Sequence, residues 1–303
     1  MDFINDYNQL ILAEINALIS DGFIFPTFQE YQRQDSSATN TQYESFLIHL
    51  YYNLKSKIPS AKRRIVHKCS SFVVPPQYQA GINMIEDEIK NGKELWPRLS
   101  RQIFKADFCD MMMFDFGICH LHLGINNDVN YPALIQGTSD ILYVMFTEEE
   151  AIFVRIDKHG LWNDRKLLEE IDTDFPDVLQ PYVTTGTPLE RYTDEDRLKL
   201  KKMNVNTGID IHGKNIMPPG MGMNGAGMSV NSTIAIVKTR HFLQEIQNNI
   251  KRVIEEKFKS FEDIDCHLTK IDQNRAEIFD ENNRLLFVYD MQKASITYQQ
   301  LNT

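Results

Sequence analysis

The spacing of apolar residues in the N-terminal third of the chain is typical of amphipathic helices. Apolar side chains recur at intervals of three and four residues, and glycine follows two of these segments, at Gly22 and Gly92. A polar stretch predicts a loop at residues 32–41, and the apolar step before Pro75 predicts an extended segment at residues 72–74. The pattern predicts helices over residues 2–20, 42–55, 78–91 and 95–103.

In the middle of the chain, apolar residues recur at every second position instead of every third or fourth. Residues 118–123 alternate strictly, which predicts a strand with His120 and His122 on one face and apolar side chains on the other. The strand is expected to have a buried side and a working side. Two β-rich runs, 140–146 and 151–157, are joined by a short acidic turn, so we expect them to form a hairpin.

Regular patterns are lost after a predicted helix over residues 162–171. Residues 173–233 contain scattered prolines and a Gly/Met-rich tract at 218–229, and they predict a linker or a long loop. The tract lacks the lysine of a P-loop, and although Gly220, Gly222 and Gly225 have the GxGxxG spacing, no clear strand leads into them as a dinucleotide-binding loop needs. The last part of the chain predicts a helix over residues 238–258 and strands over residues 275–279, 285–290 and 294–298.

Together these elements predict an α+β fold. Residues 1–172 would hold N-terminal helices and a central antiparallel sheet that carries the His-x-His strand, in a catalytic domain. Residues 173–233 would form the Gly/Met/Pro-rich linker, and residues 234–303 a small α+β C-terminal unit.

Composition narrows the class of protein. The chain has 303 residues and a net charge of −10, which excludes a strongly basic nucleic-acid coat protein but leaves room for one local basic patch. No apolar run reaches the roughly 18 residues that a membrane span needs, and we expect no signal peptide and no membrane partner. The 4 cysteines are widely scattered. This favours reduced thiols and a cytoplasmic location.

The histidine pair is the strongest chemical signal. His120 and His122 stand two residues apart on one strand, and His159 ends the second strand of the hairpin that follows. Arg155 shares a face with His159 if the pairing is regular. A three-stranded antiparallel meander would bring these four side chains together.

Acid–base cleavage of RNA is one chemistry that suits this cluster. It needs a base for the 2′-hydroxyl, an acid for the leaving oxygen and a cation for the phosphate, and no metal. Histidine fits both proton roles, and Arg155 fits the phosphate. The basic residues that would contact RNA are Lys62, Arg63, Arg64, Lys68 and Lys158.

The order of these segments resembles a known group of ribonucleases. Helices precede a strand reading HLHLG, and DILYVMF, an acidic turn and AIFVRIDKHG follow. From Gln77 to His159 this resembles the RelE/ParE-type toxin core of the barnase–EndoU–colicin–RelE group. The resemblance implies a toxin-like endoribonuclease whose cleft is lined by His159 and the HLH strand. It also implies RNA as substrate and an inhibitory or antitoxin protein as partner.

Two other functions remain open from the residues alone. The same side chains, His120, His122 and His159, could be the ligands of a three-histidine zinc or iron site. Alternatively, the chain is a non-catalytic module that binds a protein partner, and the histidines are structural.

Overall fold

The chain forms two units, each with its own hydrophobic core. A computed structural model describes residues 1–161, 163–185, 192–259, 263–272 and 274–301. The first unit consists of residues 1–22, 26–51 and 234–303, and the second consists of residues 23–25 and 52–233. The N-terminal helices thus group with the C-terminal segment, which is an association that the sequence pattern did not indicate.

The helices confirm most of the periodicity in the N-terminal third. Residues 95–103 are an exception, because the predicted helix is replaced by two separate 3-10 turns. Leu99 and Ser100 are extended between those turns, and the Ser100 side chain accepts a hydrogen bond from the Gln102 N–H to begin the second one. The helices are α1 (Phe3–Ser20), α2 (Phe28–Gln32), α3 (Asn40–Ser56), α4 (Gln79–Lys90), α5 (Met111–Phe116), α6 (Lys166–Asp174), α7 (Pro176–Leu179), α8 (Asp194–Lys202) and α9 (Val230–Lys257).

The strands form two larger sheets and a small hairpin, and the predicted α+β class is confirmed. The strands are β1 (Ile65–Lys68), β2 (Ile118–His122), β3 (Asp140–Phe146), β4 (Glu150–Lys158), β5 (Ile209–Ile211), β6 (Lys214–Ile216), β7 (Cys266–Ile271), β8 (Arg275–Asp280), β9 (Leu285–Asp290) and β10 (Ser295–Gln300).

The central sheet has the strand order β1-β4-β3-β2. Strands β2, β3 and β4 pair antiparallel, as the meander predicts, but β1 pairs parallel to β4 and makes the sheet mixed. Residues 72–74, which the sequence predicts to be extended, form no strand of this sheet; Val73 is exposed, and the prolines that follow lead into a 3-10 turn. The strand lies in the basic run just before them, where the Ile65 N–H bonds to the Glu149 carbonyl.

Helix α6 covers one face of the central sheet. Its Leu167, Leu168 and Ile171 pack in one core with Tyr143 and with the β5–β6 hairpin. Residues 173–233 are therefore not only a linker, because they contain α7, α8, β5 and β6. These elements complete the core that the sheet and α6 begin.

Buried ion pairs attach α8 to α5. The Asp115 carboxylate receives both Arg197, at 2.9 Å, and Lys201, and all three side chains are buried. A buried carboxylate without cations would be strongly destabilising, so this contact fixes α8 against the helix that precedes the histidine strand.

The Gly/Met-rich tract also packs against α5. The Gly220 N–H donates to the Asp115 carbonyl and the Gly222 N–H donates to the Phe114 carbonyl, at 2.6 Å. A Cβ at Gly220 would overlap the carbonyl oxygens of Met113 and Phe114. Glycine is therefore needed at this position for the close approach of two backbones.

In the first unit, the antiparallel sheet β10-β9-β8-β7 shares a core with α1 and α9. The three predicted strands are found with small shifts in their ends, and β7 is an addition. Its Cys266 and Leu268 are buried, and its His267 and Thr269 are exposed. The sequence therefore does alternate between buried and exposed residues in this strand, but only over a few positions. Within the part of the chain that is described, no helix is both long and apolar enough to cross a membrane.

We expect Gly220→Ala to destabilise the protein, because its methyl group overlaps backbone that cannot move away without breaking the contact with α5. The expected loss is about 1–3 kcal/mol of unfolding free energy, measured by urea unfolding. Gly225→Ala is the matched control, since a Cβ there has nothing within 4 Å. Equal stability of the two variants would contradict the close approach.

Candidate functional site

The structure brings His120, His122 and His159 together at one end of the central sheet. The ring centre of His159 lies 6.3 Å from that of His120 and 5.2 Å from that of His122. The two β2 histidines reach this point through the register, because His120 pairs with Tyr143 and His122 pairs with Ile141. His159 directly follows the end of β4.

The three imidazoles differ sharply in exposure. His120 is 4% exposed and His122 is 9% exposed, whereas His159 is an exposed residue. All five residues of β2 are buried, so the expectation of an open working face on this strand is wrong. The strand is covered on both faces, and His159 is the member of the cluster that solvent reaches.

The backbone of Thr138 bonds to two of the histidines. Its N–H donates to His122 Nδ1 at 3.0 Å, and its carbonyl oxygen accepts from His159 Nε2 at 3.3 Å. These bonds determine the neutral tautomers, because an accepting nitrogen carries no proton and a donating one does. Neutral His122 therefore presents an Nε2–H donor, and neutral His159 presents a lone pair at Nδ1.

The Thr138 side chain holds this backbone segment in place. Its hydroxyl donates to the Asp140 carbonyl at 2.6 Å and accepts from the Leu123 N–H at 3.1 Å, so it joins the end of β2 to the start of β3. Gly137 beside it packs on the His122 ring. Sequence reasoning missed Thr138, since it lies in an irregular connection and no local signal distinguishes it from other loop threonines.

Burial keeps the two β2 imidazoles neutral. It lowers the pKa of His122 to about 4, with additional lowering by the positive charges of His159, His120 and Arg101. Burial also lowers the pKa of His120, although the carboxylate of Asp110 acts in the opposite direction. Near neutral pH, both side chains are therefore hydrogen-bonding groups without charge.

Arg155, the predicted phosphate ligand, lies among carboxylates. Its guanidinium contacts Glu170 through Nε, at 3.3 Å, and through Nη2, and it lies 3.4 Å from Asp164 and 3.7 Å from Asp157. Three carboxylates thus surround its positive charge. Arg155 pairs with Tyr143 in the register of the sheet. Its guanidinium, however, bonds to Glu170 in α6 and to Asp164, which lies just before that helix.

Most of the predicted RNA-contacting residues also have partners within the protein. Lys62 pairs with Glu148 and with Glu149, and Lys68 pairs with Glu86 at 2.7 Å. Arg64 is buried and donates to backbone carbonyls and to Ser60. Arg63 and Lys158 are exposed.

Arg101 is a cation near the site that sequence reasoning missed. Its side chain is 56% exposed, and it bonds to Asp128 at 3.0 Å. The preceding 3-10 turn, Trp96–Arg98, is tied to the histidine strand by Arg98, which donates to the carbonyls of His122 and Gly124. The sequence predicted one helix over residues 95–103, so it did not indicate that Arg101 would begin a separate 3-10 turn near the histidines.

The part of the chain that the structure describes contains no set of side chains arranged as metal ligands. No group of at least 3 His, Cys, Asp or Glu side chains there has an arrangement that could hold a metal ion. In addition, His122 and His159 each direct one ring nitrogen to Thr138. The zinc or iron alternative therefore gains no structural support.

Comparisons of the chain with protein-family models, curated proteins and solved structures gave no match. The function must therefore be argued from the geometry of the site.

Replacing Thr138 by valine should destabilise the second unit and disturb His122. The variant removes the hydroxyl that accepts from Leu123 N–H, and a buried unpaired N–H costs about 1–3 kcal/mol. Urea unfolding measures the loss. Thr138→Ser keeps the hydroxyl and should restore most of the stability. If the valine variant is as stable as the serine variant, the hydroxyl does not contribute to the stability of the protein.

Nitrogen-15 NMR of the imidazole rings should find His122 as the neutral Nε2–H tautomer from pH 8 to about pH 5, with titration near its pKa of about 4. Because the folded pKa lies below the unfolded value, the stability from neutral His122 is complete above about pH 6.5 and declines as the pH falls toward 4. His122→Asn, which does not titrate, should weaken that decline. Titration of His122 at its ordinary value would contradict its burial.

Proposed function

We propose that this protein is a toxin-like, metal-independent endoribonuclease that works through the His120–His122–His159 cluster. The observation that carries the proposal is the pair of backbone bonds from Thr138, which fix His122 as a hydrogen-bond donor and His159 as an acceptor within one cluster. Transesterification of RNA can use an acceptor for the 2′-hydroxyl proton and a donor for the negative charge that develops on the phosphorane.

His159 is the proposed general base. It is exposed, and its Nδ1 lone pair is free of the Thr138 bond in the neutral tautomer. It would take the proton from a ribose 2′-hydroxyl, whose oxygen then attacks the adjacent phosphorus. The bond from phosphorus to the 5′-oxygen breaks, and water protonates that oxygen. The products are a 2′,3′-cyclic phosphate and a 5′-hydroxyl.

His122 is the proposed donor to the charged phosphorane. Because the pKa of His122 is about 4, the ring is neutral near pH 7 and carries no imidazolium proton to transfer, but its Nε2–H can stabilise negative charge that develops on a phosphoryl oxygen. His120 is buried beneath the exposed ring, so we give it a positioning role. The need for a 2′-hydroxyl makes RNA, and not DNA, the substrate.

The test is cleavage of a labelled single-stranded RNA, and of the DNA of the same sequence, with and without EDTA. We expect RNA cleavage that EDTA leaves unchanged, cyclic-phosphate ends, and intact DNA. His159→Ala should lower the rate by about 10²–10⁴-fold because it removes the base. His241→Ala is the control, since His241 is an exposed residue of α9.

Three outcomes would contradict the proposal. One is RNA cleavage by His159→Ala at the rate of the unmodified protein. Another is loss of activity in EDTA with recovery on adding a metal, which would favour a metal site. The third is the absence of cleavage of any RNA, together with unchanged growth of cells that express the protein, which would favour a binding module.

A further inference from the structure

We propose that Arg101 and the loop of residues 126–136 form a subsite that binds one nucleotide of single-stranded RNA beside the histidine cluster. This inference rests on the proposed function, and it gives that function a substrate-binding cation. The argument uses the charge of Arg101, the architecture of the loop and the link between the loop and the histidines.

Arg101 is a cation beside the histidine cluster that keeps more than half of its side chain exposed to solvent. Arg155 is surrounded by three carboxylates, and Arg64 is buried among carbonyls. Arg101 makes an ion pair with Asp128 through Nη2, and its side chain remains 56% exposed. Since a guanidinium binds phosphate through two parallel N–H groups, the exposed part of Arg101 fits this role.

Asp128 positions the arginine and shapes the loop at the same time. Its Oδ1 accepts from the N–H groups of Asn130 and Tyr131, at 2.9 and 3.0 Å, while its Oδ2 binds Arg101. These bonds lower the pKa of the Asp128 carboxyl, the bond from Arg101 being the largest cause. The carboxylate is therefore charged at neutral pH and holds the guanidinium at a fixed place.

Aromatic side chains of the protein pack against the guanidinium. The Arg101 Cζ lies 4.8 Å from the ring centre of Tyr131, and that ring stacks on Phe104 at 5.9 Å and 28°. Phe104 in turn contacts Phe23, at 5.1 Å, inside the second unit. An arginine plane held on a rigid aromatic group is a surface on which an unpaired nucleobase stacks.

The loop leads directly to the histidines. Its two sides are joined by the bonds from Asp128 N–H to the Leu134 carbonyl and from Gln136 N–H to the Asn126 carbonyl, both 2.8 Å. The next residues are Gly137, which packs on His122, and Thr138, which bonds to His122 and His159. The positive charge of Arg101 also contributes to the low pKa of His122, as expected for neighbours.

Single-stranded RNA fits better than a duplex. With a net charge of −10, the chain is poorly suited to follow the phosphates of a long helix, whereas one arginine needs only one phosphate. Stacking on the guanidinium requires a base that is not already paired and stacked. Val129 at the tip of the same loop is 93% exposed and offers apolar contact to that base.

The test measures binding separately from cleavage. A fluorescent single-stranded oligoribonucleotide is titrated into full-length His159→Ala protein at several salt concentrations, and Arg101→Ala is then added to that background. We expect binding about three- to tenfold weaker, with the slope of log affinity against log salt reduced by about 0.7, the value for one phosphate contact on a single strand. Arg101→Lys should keep the salt slope but lose part of the affinity, because it lacks the plane.

Arg252→Ala is the matched control, since it removes an exposed arginine of α9 and should change neither quantity. Urea unfolding of the Arg101 variants shows whether the loop remains folded. Unchanged binding and salt slope in a folded Arg101→Ala protein would overturn the subsite while the cleavage result stands. Binding that depends on Arg101 without cleavage by the unmodified protein would overturn the proposed ribonuclease and leave the subsite supported. Duplex bound more tightly than single strand would also overturn it.

Discussion

The antiparallel pairing of β2 with β3, and of β3 with β4, determines where each side chain of the candidate site lies. The register places His120 and His122 beside β3, which begins two residues after Thr138. Strand β4 then returns the chain to the same end of the sheet, where His159 follows. A slip of one residue would turn both β2 histidines to the opposite face. Because all five residues of β2 are buried, such a slip would move the imidazoles into buried positions that apolar side chains fill, which makes it costly.

Burial also decides what these histidines can do. An imidazole that has lost its water is harder to protonate, so His120 and His122 remain neutral where a solvent-exposed histidine would begin to charge. The backbone N–H and carbonyl of Thr138 then orient the proton of one ring and the lone pair of another. These two groups belong to successive peptide bonds, and the contacts of the Thr138 hydroxyl hold the segment that carries them.

Charge is distributed so that most cations of the second unit neutralise nearby acids. Lys62 pairs with the acidic turn of the hairpin, Arg155 with α6, and Arg197 and Lys201 with the buried Asp115. An acidic chain has enough carboxylates to satisfy its basic residues locally. The location of a basic run in the sequence is therefore a poor guide to the cations available for a ligand.

Local sequence determined the α+β class, the long helices, the hairpin and the three histidines as a group, because apolar periodicity and strand alternation act over a few residues. Tertiary structure alone decided the parallel addition of β1, the grouping of α1 with the C-terminal sheet, and the formation of α7, α8, β5 and β6. It also decided the contacts of Thr138, Arg155 and Arg101. These depend on residues far apart in the chain, and the identity of a side chain does not reveal which carboxylate or carbonyl the folded backbone will bring to it.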